Sequence, residues 1–192
     1  RVTGKVTDGP DTIFRCFMAS AEARSPSLRK LVWHNLGLIK DALVDGVDAC
    51  ADLICKSLPS KFDIMRVHVG GDYFSKKYLQ AWVEVAKRNP DKVFYSYSKS
   101  LHLFKEFALP ENLVLTASRG GKHDDLIDLH GWKEALVVYS EQEAIDKGLE
   151  IDHDDTHAAF GKENFALLIH GTQPKGSMAS QALQAIKRKA IA

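Results

Sequence analysis

At 192 residues with 45% hydrophobic side chains, the chain is long enough for one substantial core and too short for two, which implies a single domain. Its 26 basic and 25 acidic residues leave a formal charge of +1, so nothing global draws it to nucleic acid or a membrane surface and any basic contact must be local. No stretch approaches the ~18 consecutive apolar residues of a membrane span and no signal-peptide pattern opens the chain, so a soluble, cytoplasmic protein is expected.

The opening Arg1-Val2-Thr3-Gly4-Lys5 lacks a Met and is already polar, and reads as the start of a fragment with residues missing upstream. From Thr12 to Arg24, Ile13, Phe14, Phe17, Met18 and Ala21 recur at helical spacing behind Gly9-Pro10, with Asp11 or Thr12 as the cap. A second helix begins at Ser27, with Leu28, Leu31, Val32, Leu36 and Leu38 to Ile39 on its apolar stripe. A third runs from Val47 to about Leu58, where Pro59 stops it. Cys16, Cys50 and Cys55 are an odd set without a secretory signal, which implies reduced thiols. Cys50 and Cys55 lie about 140° apart on a helix and make a poor metal pair.

Beyond residue 60 the period changes. Strands are predicted at Ile64 to Val69, Val93 to Tyr97, Asn112 to Ala117, Ala135 to Tyr139 and Phe165 to His170. Helices are predicted at Lys76 to Arg88, with Ser75 as cap and Phe74 and Leu79 as a hydrophobic staple, and at Ser100 to Phe107 and Glu141 to Lys147. Glu150 to Glu163 is irregular and rich in Asp and His, and reads as a lid loop. Ser177 to Ala192 reads as a tail helix closed by Lys187, Arg188 and Lys189, which suit its negative end. The alternation predicts an α/β fold, a parallel sheet or partial (β/α) barrel with a helical N-terminal segment.

In such folds ligands sit at the carboxyl ends of strands. Strict alternation puts Ile64, Arg66 and His68 on one face of the first strand and Met65, Val67 and Val69 on the other. Gly70 and Gly71 allow a tight turn and close approach to a ligand, and Asp72 offers a carboxylate to an ammonium or hydroxyl. The same residues also fit an ordinary βα turn with an Arg66–Asp72 ion pair. Tyr97 and Lys99 follow the second strand, Ser118 and Arg119 with Gly120 and Gly121 the third, and His170 the last. Ser118 and Arg119 suit a ribose, carboxylate or phosphate. His153 and His157 lie four apart, but without a His-Glu-x-x-His pattern, and no nucleophile elbow, P-loop or Rossmann fingerprint occurs.

The run Arg66-Val67-His68-Val69-Gly70-Gly71-Asp72-Tyr73-Phe74-Ser75, with Tyr78-Leu79, Trp82, Asn89-Pro90 and Phe94-Tyr95-Ser96-Tyr97-Ser98-Lys99-Ser100, resembles the phage gene-product-88 family, whose function is not established. That family is similar in layout to radical S-adenosylmethionine proteins. The resemblance implies S-adenosylmethionine and a [4Fe-4S] cluster as cofactors of the complete protein. Gly70, Gly71 and Asp72 would then receive the methionine amino group, Ser118 and Arg119 the rest of the cofactor, and His68, Tyr97, Lys99 and His170 the substrate. No Cys-x-x-x-Cys-x-x-Cys occurs in the chain, and a cluster needs thiolates. The competing expectation is a non-catalytic phage accessory protein that uses the same scaffold to bind a nucleotide, nucleic acid or a host protein in the host cytoplasm. A metal-free hydrolase or transferase built from His68, Asp72 and Lys99 ranks behind both, and oligomeric state is not legible.

Overall fold

The computed structural model describes residues 4–9 and 12–189. Asp11 as a cap, the opening Arg1-Val2-Thr3 and residues 190–192 of the tail lie outside them. Among the described residues six strands hydrogen-bond into one sheet: Ile64–Arg66 (β1), Val93–Ser98 (β2), Leu113–Ser118 (β3), Glu134–Val138 (β4), Glu150–Ile151 (β5) and Phe165–Leu168 (β6). Their order is β1-β2-β3-β4-β6-β5, and β1 to β4 pair in parallel. The helices are Phe17–Arg24 (α1), Pro26–Asp45 (α2), Val47–Ser57 (α3), Lys76–Arg88 (α4), Asp125–His130 (α5), Glu141–Asp146 (α6), Thr156–Ala159 (α7) and Met178–Lys189 (α8), with a 3-10 helix at Leu101–Glu106. The fold is α/β on a parallel sheet, with a helical N-terminal segment.

Several boundaries move from their predicted places for identifiable reasons. The first helix starts at Phe17 rather than Thr12, whose N–H closes a turn onto the Gly9 carbonyl at 3.1 Å. The second continues through Gly37 to Asp45 and stops before Gly46, whose φ of 123° no helix accommodates. Strand β1 stops at Arg66 rather than Val69, where the Arg66 Nε–H turns back onto the His68 carbonyl at 3.1 Å. The predicted lid loop contains β5 and the four-residue α7, and α5 was not anticipated.

The chain divides into two compact units. One comprises Leu36–Leu136 and Asp152–Phe165. Its core packs α3 and α4 against one face of β1 to β3 through Cys50, Ile54, Leu79, Trp82, Val85, Phe94 and Leu113. Fully burying each large apolar side chain contributes about 1.5–3 kcal/mol. Helix α4 occupies its predicted span because both ends are specified: Ser75 Oγ accepts from the Tyr78 N–H at 3.2 Å, and Asn89 stops it. Phe74 stacks on the Tyr78 ring at 4.8 Å, one residue short of the staple partner expected from spacing. Asn112 Nδ2 lies within hydrogen-bond distance of the carbonyls of Ala86, Asn89 and Lys92 and shares its two protons among them, which fixes the chain between α4 and β2.

The other unit comprises the described residues of Arg1–Asn35, Val137–Ile151 and Ala166–Ala192. Buried Gln173 orders it, accepting from the Arg15 N–H at 2.7 Å and donating to the carbonyls of Arg15 and His170. Gly171 must be glycine: its φ is 76°, and a Cβ would lie 2.8 Å from that of Phe17.

Candidate functional site

The polar strand ends of β1, β2 and β3 meet in one bonded rim. The Asp72 carboxylate accepts from the Tyr73 N–H and Ser98 Oγ, both at 2.7 Å, and from the Lys99 and Ser100 N–H groups at 2.8 and 3.1 Å. A carboxylate has about four acceptor positions, so the fold itself engages this one fully. Lys99 Nζ reaches across to the carbonyls of Ser118 and Arg119 at 2.8 and 2.7 Å. The Arg119 guanidinium is held by Glu134 and by Asp128, the latter at 2.8 Å. Asp124 receives the N–H groups of Gly120 and Gly121, with Gly120 at a φ of 99°. Gly70, Gly71, Asp72, Lys99, Ser118 and Arg119 are thus brought together, with the charged groups of Asp72, Lys99 and Arg119 engaged in holding the rim. Gly71 has a φ of 97° and open space where a Cβ would stand.

His68 leaves this rim. Because β1 ends two residues earlier, strict alternation does not carry to it, and its ring enters an aromatic pocket on the α4 side rather than sharing a face with Arg66. Tyr73 meets it edge-on at 4.7 Å, with Tyr78 at 5.7 Å and Trp82 at 6.4 Å. His68 Nε2 pairs with the Tyr78 hydroxyl at 3.0 Å, while Nδ1 is buried without a hydrogen-bond partner among the described residues. Burial pulls the His68 pKa down to about 4, against a weaker opposing pull from Asp72. The imidazole is neutral at pH 7. Burial likewise pushes the Tyr78 hydroxyl up to about 12.

The opposite face of the sheet carries a constellation that sequence reasoning missed. Register sets Arg66 beside Tyr95, and Tyr97 follows on the same face. Arg66 Nη1 and the Tyr95 hydroxyl donate to Asp155 Oδ2, each at 2.9 Å, and the Tyr97 hydroxyl donates to Oδ1 at 2.8 Å. The guanidinium also lies 4.7 Å from the centre of the Tyr97 ring, a cation–π arrangement. Arg66 therefore pairs with Asp155, not with Asp72 as the turn reading expected. Burial raises the Asp155 carboxyl, but the bonds from Tyr97 and Tyr95 and the Arg66 charge outweigh it and hold its pKa below the ordinary value. Burial and the same carboxylate push Tyr95 up to about 12 and Tyr97 higher still. The one signal in the sequence was an acid-rich stretch between His153 and His157, which reads equally well as solvated loop.

That loop is anchored from below. Lys133 Nζ donates to the carbonyls of His157, Ala158 and Gly161, and Thr116 Oγ1 to that of Ala158 at 3.4 Å. Buried Asp152 accepts from the Ala158 N–H at 3.2 Å. In the other unit, the His170 ring meets that of Phe17 at a tilt, with centroids 5.4 Å apart, and its Nδ1 lies 3.2 Å from the Leu168 carbonyl.

The described residues do not by themselves supply a cluster site. Cys50 is buried in the core, Cys16 is exposed and Cys55 half-buried. No group of three or more His, Cys, Asp or Glu is placed to hold a metal ion among the described residues. The filled carboxylate of Asp72 leaves no lone pair for a methionine ammonium. Among the described residues, no helix is long and apolar enough to cross a membrane.

Comparison with known proteins accords with the family motifs. Over 165 residues the chain is 28% identical to the Gene 88 protein of Mycobacterium phage L5 and 26% identical to the Gene 88 protein of Mycobacterium phage D29. Each alignment covers 80% of this chain and 62% of the relative, so the chain spans less than two thirds of these relatives' length. No solved structure matches it. The model of the family described as Gene product 88 matches residues 11–191, nearly the whole chain, and the chain belongs to that family.

Proposed function

We propose that this chain is the ligand-binding scaffold of a phage accessory protein and that its rim receives a nucleotide. One observation carries the reading: Asp72 and Lys99 tie three successive strand ends into a single preorganised edge, while the space beside Gly71 stays open. Rigid, glycine-bearing strand ends lower the ordering cost of binding and let phosphate or ribose approach the backbone. The Ser118 hydroxyl and the exposed Lys122 stand at the same edge and offer polar groups of the right kind.

Radical chemistry with S-adenosylmethionine is the weaker reading for this chain, because the Asp72 carboxylate, which it assigns to the methionine ammonium, is already engaged by four donors of the fold. Calorimetric titration with ATP and with S-adenosylmethionine tests the proposal. One-to-one binding of ATP, weakened by Ser118→Ala, supports it. A folded chain that takes up neither ligand overturns it, and binding of S-adenosylmethionine alone restores the cofactor reading.

A further inference from the structure

We infer that Arg66, Tyr95 and Tyr97 form a receptor for a ligand carboxylate, and that the chain's own Asp155 occupies it as a built-in competitor. The site lies on the sheet face away from α4 and uses no residue of the rim, so it stands or falls independently of nucleotide binding there.

Three donors from two neighbouring strands converge on one planar carboxylate, two on one oxygen and one on the other. The receptor is rigid: both tyrosines belong to β2, and Arg66 is braced by the His68 carbonyl and the Tyr97 ring. Asp155 is held less comfortably. It is the sole described residue other than glycine with a positive φ, at 67°, a conformation that costs roughly 1 kcal/mol or more. Its side chain and that of Arg66 remain 26% and 29% exposed, so solvent reaches the pair.

The rest of the loop does not depend on this contact. Lys133 holds three of its carbonyls, Asp152 the Ala158 N–H and Thr116 the Ala158 carbonyl. A rotation of the Asp155 side chain alone would vacate the receptor without unseating α7. The geometry of the occupant also specifies the ligand class, because a planar two-oxygen acceptor fits where a tetrahedral phosphate matches the three donors less well. An intramolecular occupant lowers apparent affinity by the fraction of time it leaves the site open, so removing it should reveal the receptor.

The test is titration of the wild-type chain and of Asp155→Ala with succinate, and separately with inorganic phosphate, at constant ionic strength. Succinate should bind Asp155→Ala about tenfold or more tightly than wild type, and adding Arg66→Met should abolish the gain. Equal succinate affinity in the two proteins overturns the proposal, and tighter binding of phosphate than succinate overturns the ligand class. If Asp155→Ala does not fold, Asp155→Asn takes its place, since asparagine also tolerates the positive φ but lacks the competing charge: tighter succinate binding than wild type supports displacement of Asp155, and equal affinity overturns it.

Discussion

The carboxylate of Asp72 accepts the backbone N–H of Lys99 at 2.8 Å across 27 residues of chain, and this bond closes the turn after β1 onto the turn after β2. Three more bonds converge on the same carboxylate, from the Tyr73 N–H, the Ser98 hydroxyl and the Ser100 N–H, the last of which also reaches Ser98 Oγ at 3.0 Å. Removing it strands the Tyr73 and Lys99 N–H groups, and an unsatisfied buried donor costs more than a hydrogen bond gains.

Asp72→Ala should therefore destabilise the chain by about 3 kcal/mol, with most of the loss already present in Asp72→Leu. Urea unfolding should show a lower midpoint at an unchanged slope. A loss confined to ligand affinity, with stability intact, would mean that the carboxylate serves binding rather than the fold.

His68 makes stability depend on pH in a defined window. An unfolded histidine takes its proton near pH 6.5, and in the folded pocket it does so only near pH 4. Between these values the unfolded chain binds more protons, so the contribution is complete above about pH 6.5 and is lost as pH falls toward 4. The loss amounts to at most about 3 kcal/mol. His68→Phe should flatten the wild-type decline in urea midpoint between pH 7 and pH 4.5, since other acidic groups titrate alike in both proteins. Parallel curves would show that the imidazole is not buried as a neutral group.

How far the fold was legible depended on how locally each element is specified. Lys76–Arg88 was readable to the residue because a serine cap, an apolar stripe and an Asn-Pro stop all lie within the segment. Strand β1 was overrun because Val67 and Val69 continue the alternation, while what ends the strand is an arginine folding back on its own chain. The rim was readable as a set of polar strand ends, but not the division of labour within it, since whether Asp72 or Arg119 faces a ligand or a neighbour depends on partners 26 and 15 residues away. Asp155 was hidden for the same reason more strongly: its partner Arg66 lies 89 residues earlier, and four residues of α7 are too few to register a helical period.

Lys133 should prove to be a structural cation. Its ammonium reaches three carbonyls, and burial lowers its pKa while Asp152 partly restores it. Lys133→Met keeps the aliphatic stem but leaves those carbonyls without their donor, at a cost of about 2 kcal/mol. The damage should be local, with amide exchange accelerating at Thr156–Ala159 while Lys76–Arg88 stays protected. Equal acceleration in both segments would show instead that the loop and α4 open as one cooperative unit.

The thiols should differ sharply in reactivity, and that difference bears on iron. Cys50 is 0% exposed within the α3–α4 core and its pKa is raised by burial, so little thiolate forms there. Cys16 is exposed at the start of α1. A thiol reagent at pH 8 should modify Cys16 at the rate of a small peptide thiol, Cys55 more slowly, and Cys50 only at the rate of global unfolding. Anaerobic reconstitution of this chain with iron and sulfide should then give substoichiometric iron, because ligation by Cys50 requires opening the core. Rapid modification of all three cysteines in the folded chain, together with about four irons retained per chain, would show that the thiols can converge, and would return the cluster to this part of the protein.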